Sequence, residues 1–174
     1  DVYTFKFSYT NDKEATVSFA HTFSNDRVTA KINLCKVDKE TGKAVPQGDA
    51  TLKGAVYGLY AREDIVHPDG ATGTIYKAGE QVASLTTDDK GQSSVKGVYL
   101  GKYYVKEITP PTGYLADTEE HDLVCSYEGD MTAEVKRECT SSEQVIKQPF
   151  QIIKAANNGK TCLLYTSPSP RDRT

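Results

Sequence analysis

Two charged residues stand in rows that ought to be apolar. In the stretch KINLCKV, residues 31–37, strand alternation puts Ile32, Leu34 and Lys36 on one face and Asn33, Cys35 and Val37 on the other. In GKYYVKEITPPTGY, residues 101–114, Tyr103, Val105 and Glu107 share a face, with Tyr104, Lys106 and Ile108 opposite. Pro110 and Pro111 then end the strand. One reading has both strand ends frayed, with Lys36 and Glu107 in water. The other has both buried, and then each must find a partner. Burial lowers a lysine pKa and raises a glutamate pKa, so the outcome is an ion pair or a neutral amine beside a protonated acid. A neutral amine is a nucleophile. A protonated carboxyl polarises a carbonyl and moves protons. Next to a carboxamide, these two groups can make a covalent amide.

The elements that must hold them read as strands throughout. The chain has 174 residues, 11 of them Tyr, with no Trp and one Met. Tyr, Val, Thr and Gly recur in short alternating runs, and no long stretch has helical period. Residues 30–37 give a first strand, followed by the turn-rich DKETGKAVPQGD. AVYGLYA, GTIYKAG and QVASLTT come next, and DDKG makes a tight turn. QSSVKGVYL and KYYVKEI lead into the TPPTGY corner, where Tyr114 can plug the edge of a sandwich. DLVCSY and TAEVKRE are expected to form a hairpin over EGD. Many short strands with frequent turns indicate an all-β, Greek-key sandwich.

A repeat sets the module length. Residues 8–36 and 126–154 align without a gap. Ser8, Tyr9, Asp12, Ala15, Val17, Thr22, Ser24 and Lys36 recur as Ser126, Tyr127, Asp130, Ala133, Val135, Thr140, Ser142 and Lys154. Residues 1–27 thus read as the end of one module, 28–145 as a complete module, and 146–161 as the start of a third. A module of that length can bury roughly two-thirds of its unfolded surface, enough for its own core.

These motifs resemble a known family. LCKVDKETGKAV, LKGAVYGLYA, TTDDKGQSSVKGVYLGKYYVKEITPPTGYLAD and FSNDR are similar to the Cna B-type, or SpaA-type, prealbumin-like domain of Gram-positive surface adhesins and pilins. The similarity covers nearly all of residues 28–127. It implies a seven-stranded, transthyretin-like β-sandwich. It also implies an intramolecular isopeptide bond from a first-strand Lys to a last-strand Asn or Asp, with a buried Glu as proton shuttle. Position by position, the Lys is Lys36 and the Glu is Glu107. The acceptor departs from the pattern. The preceding module's FSN offers Asn25, and the repeat maps Asn25 onto Glu143. No Asn lies between Asn33 and Asn157. A Glu acceptor has a longer arm, which displaces the reacting carbon. Asp122 and Asp130 are the nearest Asp alternatives, one opening a strand and one in a turn. The expectation is a buried Lys36 paired with Glu107, with Glu143 at the acceptor position, either cross-linked or held as an ion pair. Asn25 and Lys154 are candidates for equivalent bonds of the neighbouring modules.

Other chemistry finds little support. GVYLGKY resembles a phosphate loop but is a residue short and lacks Ser or Thr after Lys102. Neither GxSxG nor HExxH occurs. DDKG and NDKE do not continue to the far ligand of a calcium loop. Cys35, Cys125, Cys139 and Cys162 form no CxxC and no metal spacing with His21, His67 or His121. A turn at EGD would leave Cys125 and Cys139 out of register, so no disulfide is expected there. No cofactor or metal is expected, and no enzymatic turnover. Net charge is −3, with a pI of about 5.7, so nothing grips nucleic acid or an anionic membrane. No apolar run reaches the roughly 20 residues that cross a bilayer.

The expected function is structural: a stalk module of a wall-anchored, extracellular adhesin or pilin, whose partners are tandem modules of the same chain, with host or glycan ligands met through other domains. The alternatives are a module that itself binds glycan or host protein, with Tyr99 and Tyr104 as an aromatic platform, and an accessory domain of a secreted enzyme. The opening on Asp1 without a signal peptide reads as a piece of a longer protein. CLLYTSPSPRD, residues 162–172, resembles the in-frame translation of a transposase-type sequencing adapter, so residues 162–174 are read as not native and left out of the fold.

Overall fold

The computed structural model describes residues 2, 4–6, 20–22 and 26–150, and, as backbone alone, two further strands at Ile152–Ala155 and Cys162–Tyr165. Nine strands precede these two: β1 (Thr29–Asp38), β2 (Val56–Ala61), β3 (Ile65–Val66), β4 (Thr74–Tyr76), β5 (Gln81–Thr86), β6 (Gln92–Val98), β7 (Gly101–Thr109), β8 (Glu120–Cys125) and β9 (Glu134–Glu143). They build a three-stranded sheet in the order β6-β1-β9 and a four-stranded sheet in the order β5-β2-β7-β8, with β3 and β4 as a side hairpin. This is the expected all-β sandwich, and its inner faces follow the alternation in the sequence. Ala30, Ile32 and Leu34 of β1 pack with Tyr57, Leu59 and Ala61 of β2, Tyr103 and Val105 of β7, Leu123 and Cys125 of β8, and Val135 and Cys139 of β9.

The first strand joins the last. β1 pairs with β9 in parallel, in unbroken register from Thr29 opposite Glu134 to Asp38 opposite Glu143. This arrangement corrects the expected hairpin of DLVCSY with TAEVKRE. β8 completes the four-stranded sheet beside β7, whereas β9 lies in the other sheet. Residues 126–133 cross the edge of the sandwich instead of turning back on themselves. The physical reason is the facing rows: Leu123 and Cys125 bury from one side, Val135 and Cys139 from the other. β9 also continues beyond the expected end at Glu138 through the polar run CTSSE. Pairing with β1 supplies its backbone hydrogen bonds where side-chain polarity alone reads as loop.

Two corners fix the end of the sandwich where the inner rows turn polar. After β5, Asp88 Oδ1 accepts from the amides of Lys90 at 2.9 Å and Gln92 at 2.8 Å, and Gly91 follows at φ 71°. A Cβ at Gly91 would lie 2.7 Å from the Lys36 carbonyl oxygen, so this corner packs directly on β1. After β7, the PPTGY corner brings Tyr114 into a bridge with Val145, and both bury with Leu52 in a small second core. Tyr114 thus closes the sandwich edge.

Ile152–Ala155 and Cys162–Tyr165 pair antiparallel. The second of these strands falls in the segment read as not native, and two short apolar runs flanking Asn157, Asn158 and Gly159 are a hairpin signal whatever their origin.

Candidate functional site

Four strands change from apolar to polar inner residues at the same level. On β1 the row Ala30, Ile32, Leu34 continues into Lys36 and Asp38, both fully buried. On β9 the row ends in Ser141 and Glu143, on β7 in Glu107, and all three are buried. On β2 the row begins with Tyr57, which lies opposite Glu107 in the β2–β7 ladder. Register thus gathers Lys36, Tyr57, Glu107, Ser141 and Glu143 at one end of the core.

Lys36 sits at the centre. Its Nζ lies 3.5 Å from Glu107 Oε1 and contacts Glu143 Oε2, and the three side chains are at most 1% exposed. It also lies 3.4 Å from Tyr57 Oη and over the faces of Tyr57 and Tyr114, 5.9 and 5.4 Å from their centroids. Burial pushes the Lys36 pKa below the ordinary lysine value, although Glu107, by its charge and hydrogen bond, pulls the other way. The amine is thereby moved toward its nucleophilic form.

The carboxyl groups are held from several sides. Tyr57 Oη is 2.6 Å from Glu143 Oε1, and Ser141 Oγ is 3.1 Å from the same oxygen. Glu143 Oε2 meets Lys36 and, among the described residues, no other polar partner. The amide of Asp117 donates to Glu107 Oε2 at 2.8 Å. Burial raises the Tyr57 pKa far above the phenol range, so Tyr57 stays a hydroxyl donor.

Asp117 lies between this cluster and the surface. Ser141 Oγ donates to Asp117 Oδ2 at 3.0 Å, and His121 Nε2 lies 2.8 Å from the same oxygen. Burial pushes the Asp117 carboxyl up, but hydrogen bonds from the Glu119 amide, His121 and Ser141 together hold it below the usual carboxylate range. Asp38, one turn of the row beyond Lys36, is a structural anchor. It accepts from the amides of Glu40 at 3.1 Å and Thr41 at 2.9 Å, from Gln47 Nε2 at 2.8 Å and from Tyr114 Oη at 3.1 Å.

The site residues named from sequence are distributed as follows. Lys36, Glu107 and Glu143 come together. Asn25 lies outside the described residues, and Lys154 falls in a strand described only as backbone. Of the alternative acceptors, Asp122 is 72% exposed and paired with Arg62, and Asp130 sits in the turn bonded to Tyr127; neither reaches Lys36. Tyr57, Ser141, Asp117, Asp38 and Tyr114 were not singled out for this cluster. Tyr57 could have been found by sliding AVYGLYA against KYYVKEI until the apolar rows matched. Ser141 needed β9 to be read on through CTSSE.

Elsewhere, Tyr99 and Tyr104 enter separate aromatic groups. Tyr104 stacks on Tyr60 at 5.1 Å beneath the Arg62 guanidinium, while Tyr99 meets Arg27, His67 and Tyr76. Cys35, Cys125 and Cys139 are free thiols. Among the described residues no cluster of His, Cys, Asp and Glu could hold a metal ion, and no helix is long and apolar enough to cross a membrane.

No curated protein matches the chain significantly. Among solved structures, it is similar to the Bacillus anthracis TIE protein, at 23% identity over 68% of this chain and 18% of that one, with a TM-score of 0.45. It is similar to a minor pilin of Streptococcus agalactiae, at 21% identity over 71% of this chain and 47% of that one, with a TM-score of 0.45. It is also similar to the major pilin SpaD of Corynebacterium diphtheriae, at 14% identity over 65% of this chain and 30% of that one, with a TM-score of 0.43. The chain spans less than half the length of each of these proteins. The model of the SpaA prealbumin-like fold domain matches residues 30–138, most of the two-sheet sandwich and both Lys36 and Glu107, and the chain belongs to that family.

Proposed function

We propose that this module is a structural unit of the stalk of a cell-wall-associated surface protein of the pilin or adhesin kind, and that an amide between Lys36 and Glu143 locks its first strand to its last. The observation that carries this reading is the dry contact of Lys36 Nζ with the Glu143 carboxyl, with Glu107 beside both. The family and its pilin-type relatives support the stalk.

The chemistry is a condensation. One ammonium between two carboxylates leaves a net negative charge in a dry core, and a bound proton removes it. The reacting state is then Lys36 as ammonium, Glu107 as carboxylate and Glu143 as carboxylic acid. Glu107 takes a proton from Lys36. The freed amine attacks the Glu143 carboxyl carbon, the C–N bond forms, and the C–O bond breaks. The leaving hydroxyl takes a proton from the nitrogen and departs as water. The products are the amide, one water and a protonated Glu107, so atoms and charge balance. Lys36 and Glu143 are held together before reaction, which supplies the proximity such a step needs. Tyr57 and Ser141, both against Glu143 Oε1, can hydrogen-bond the hydroxyl that leaves as water and hold it in place.

Intact mass of the folded protein tests the reading. The native chain should be lighter than its sequence by one water, and Lys36→Met should carry its full mass. Glu107→Gln should also remain at full mass or react far more slowly. A native chain at full sequence mass, with Lys36 open to cleavage at its carboxyl side after denaturation, would remove the covalent lock and leave an ion pair.

A further inference from the structure

The buried cluster has a path to the surface. Ser141 Oγ lies 3.1 Å from Glu143 Oε1 and 3.0 Å from Asp117 Oδ2, and Asp117 Oδ2 lies 2.8 Å from His121 Nε2. Exposure rises along this line: Ser141 is fully buried, the Asp117 side chain is 10% exposed and the His121 side chain 23%. A cleft of about 350 Å³ runs beside the line, lined by Lys39, Asp117, Glu119, His121 and Glu143, of which the Glu143 side chain is only 1% exposed. Those are the titratable groups that line the cleft; Glu120 and Asp122 flank His121 on its own strand, and the neighbouring β7 sets Val105 against it and Lys106 against Glu120.

We propose that His121, Asp117 and Ser141 form a proton relay between water in this cleft and Glu143, with His121 as its outer terminus. The relay rests on the condensation reading and answers what that reading leaves open, the source of the extra proton on Glu143. His121, protonated at Nε2, passes its proton to Asp117 Oδ2. Asp117 passes it to Ser141 Oγ while Ser141 passes its own hydroxyl proton to Glu143 Oε1. His121 takes up a fresh proton from solvent, and the Ser141 hydroxyl, now directed at Asp117, turns again toward Glu143. The net change is one proton from solvent to Glu143. Each transfer is a single step between groups already in hydrogen-bond reach. Tyr57 Oη, 3.1 Å from Ser141 Oγ, is a side branch of the same line. His121 and Asp117 act through Ser141 and are positioning and relay groups, not catalytic residues.

Two readouts test the relay. In the first, freshly synthesised chain is followed by intact mass, and the rate of water loss is compared for native protein, His121→Gln and Ser141→Ala from about pH 5 to about pH 8. Both variants should lose water at least ~10-fold more slowly, and the native pH profile should flatten in His121→Gln. In the second, exchange of the Tyr57 hydroxyl proton with solvent is measured by NMR in the same folded proteins, whether or not Lys36 and Glu143 have joined. It should slow by at least ~10-fold in both variants. Unchanged Tyr57 exchange in both variants overturns the relay. So does an unchanged rate and pH profile of water loss. If no sample loses water but exchange still slows in the variants, the condensation fails and the proton path stands.

Discussion

Tyr57, on one sheet, places its hydroxyl 2.6 Å from Glu143 Oε1 on the other, and so ties together the two halves of the sandwich at the point where β1 and β9 meet Lys36. The bond is fully buried, and its loss cannot be made good by water. Tyr57→Phe should therefore cost about 1–3 kcal/mol in urea unfolding, measured in the Lys36→Met background, where no covalent link obscures the equilibrium. A loss well under that range would show that Ser141 alone satisfies the acceptor.

Lys36 compensates two buried carboxyl groups. Its removal leaves them facing one another without a cation. Lys36→Met should lower the unfolding free energy by about 3–5 kcal/mol relative to native chain that still carries its full mass, before any amide forms. Adding Glu107→Gln and Glu143→Gln to Lys36→Met should recover part of that loss, because the uncompensated charge is gone. Chemical denaturation of the single and triple variants checks both halves of this expectation.

Acid should weaken the module through Asp38. Burial pushes its carboxyl up, but hydrogen bonds from Thr41, Gln47 and Tyr114 more than offset this, so the folded pKa lies below the unfolded one. A depressed carboxylate pKa stabilises the fold at neutral pH. That contribution is complete above the unfolded value near ~4 and disappears as pH falls through the lower, folded value. Thermal midpoints of native protein should drop on acidification through that window. Asp38→Asn should be less stable at neutral pH and should show a shallower acid slope.

Gly91 is a backbone requirement. Its φ of 71° favours glycine, and a Cβ there would press on the Lys36 carbonyl at 2.7 Å. Gly91→Ala should cost more than ~1 kcal/mol, and should do so with Lys36 chemistry intact. Thermal denaturation combined with intact mass separates the two effects.

Much of this was legible in the residues. Alternation in KINLCKV and KYYVKEI placed Lys36 and Glu107 in inner rows because a period of two leaves no choice of face once the neighbouring positions are apolar. The strands of both sheets could be located for the same reason. What could not be read was which strands meet. The parallel pairing of β1 with β9 is a long-range contact with no local signature, and it alone explains why CTSSE is strand and why Ser141 and Glu143 point inward. The mistaken hairpin of β8 with β9 has the same origin: adjacency in sequence was taken for adjacency in a sheet. Asp117 was invisible for a different reason. It lies in an irregular segment, and its place beside His121 and Ser141 depends on how the chain leaves the proline corner.

The parallel run of first and last strands has one more consequence. A chain that comes in at Thr29 and goes out at Glu143 travels along both strands in the same direction, so its entrance and exit lie at opposite poles. Ten residues of parallel strand separate those poles by about 30 Å. Copies of such a unit threaded on one polypeptide would extend like beads along a line, each lengthening the reach by about that distance, where an antiparallel closure would have doubled the chain back on itself.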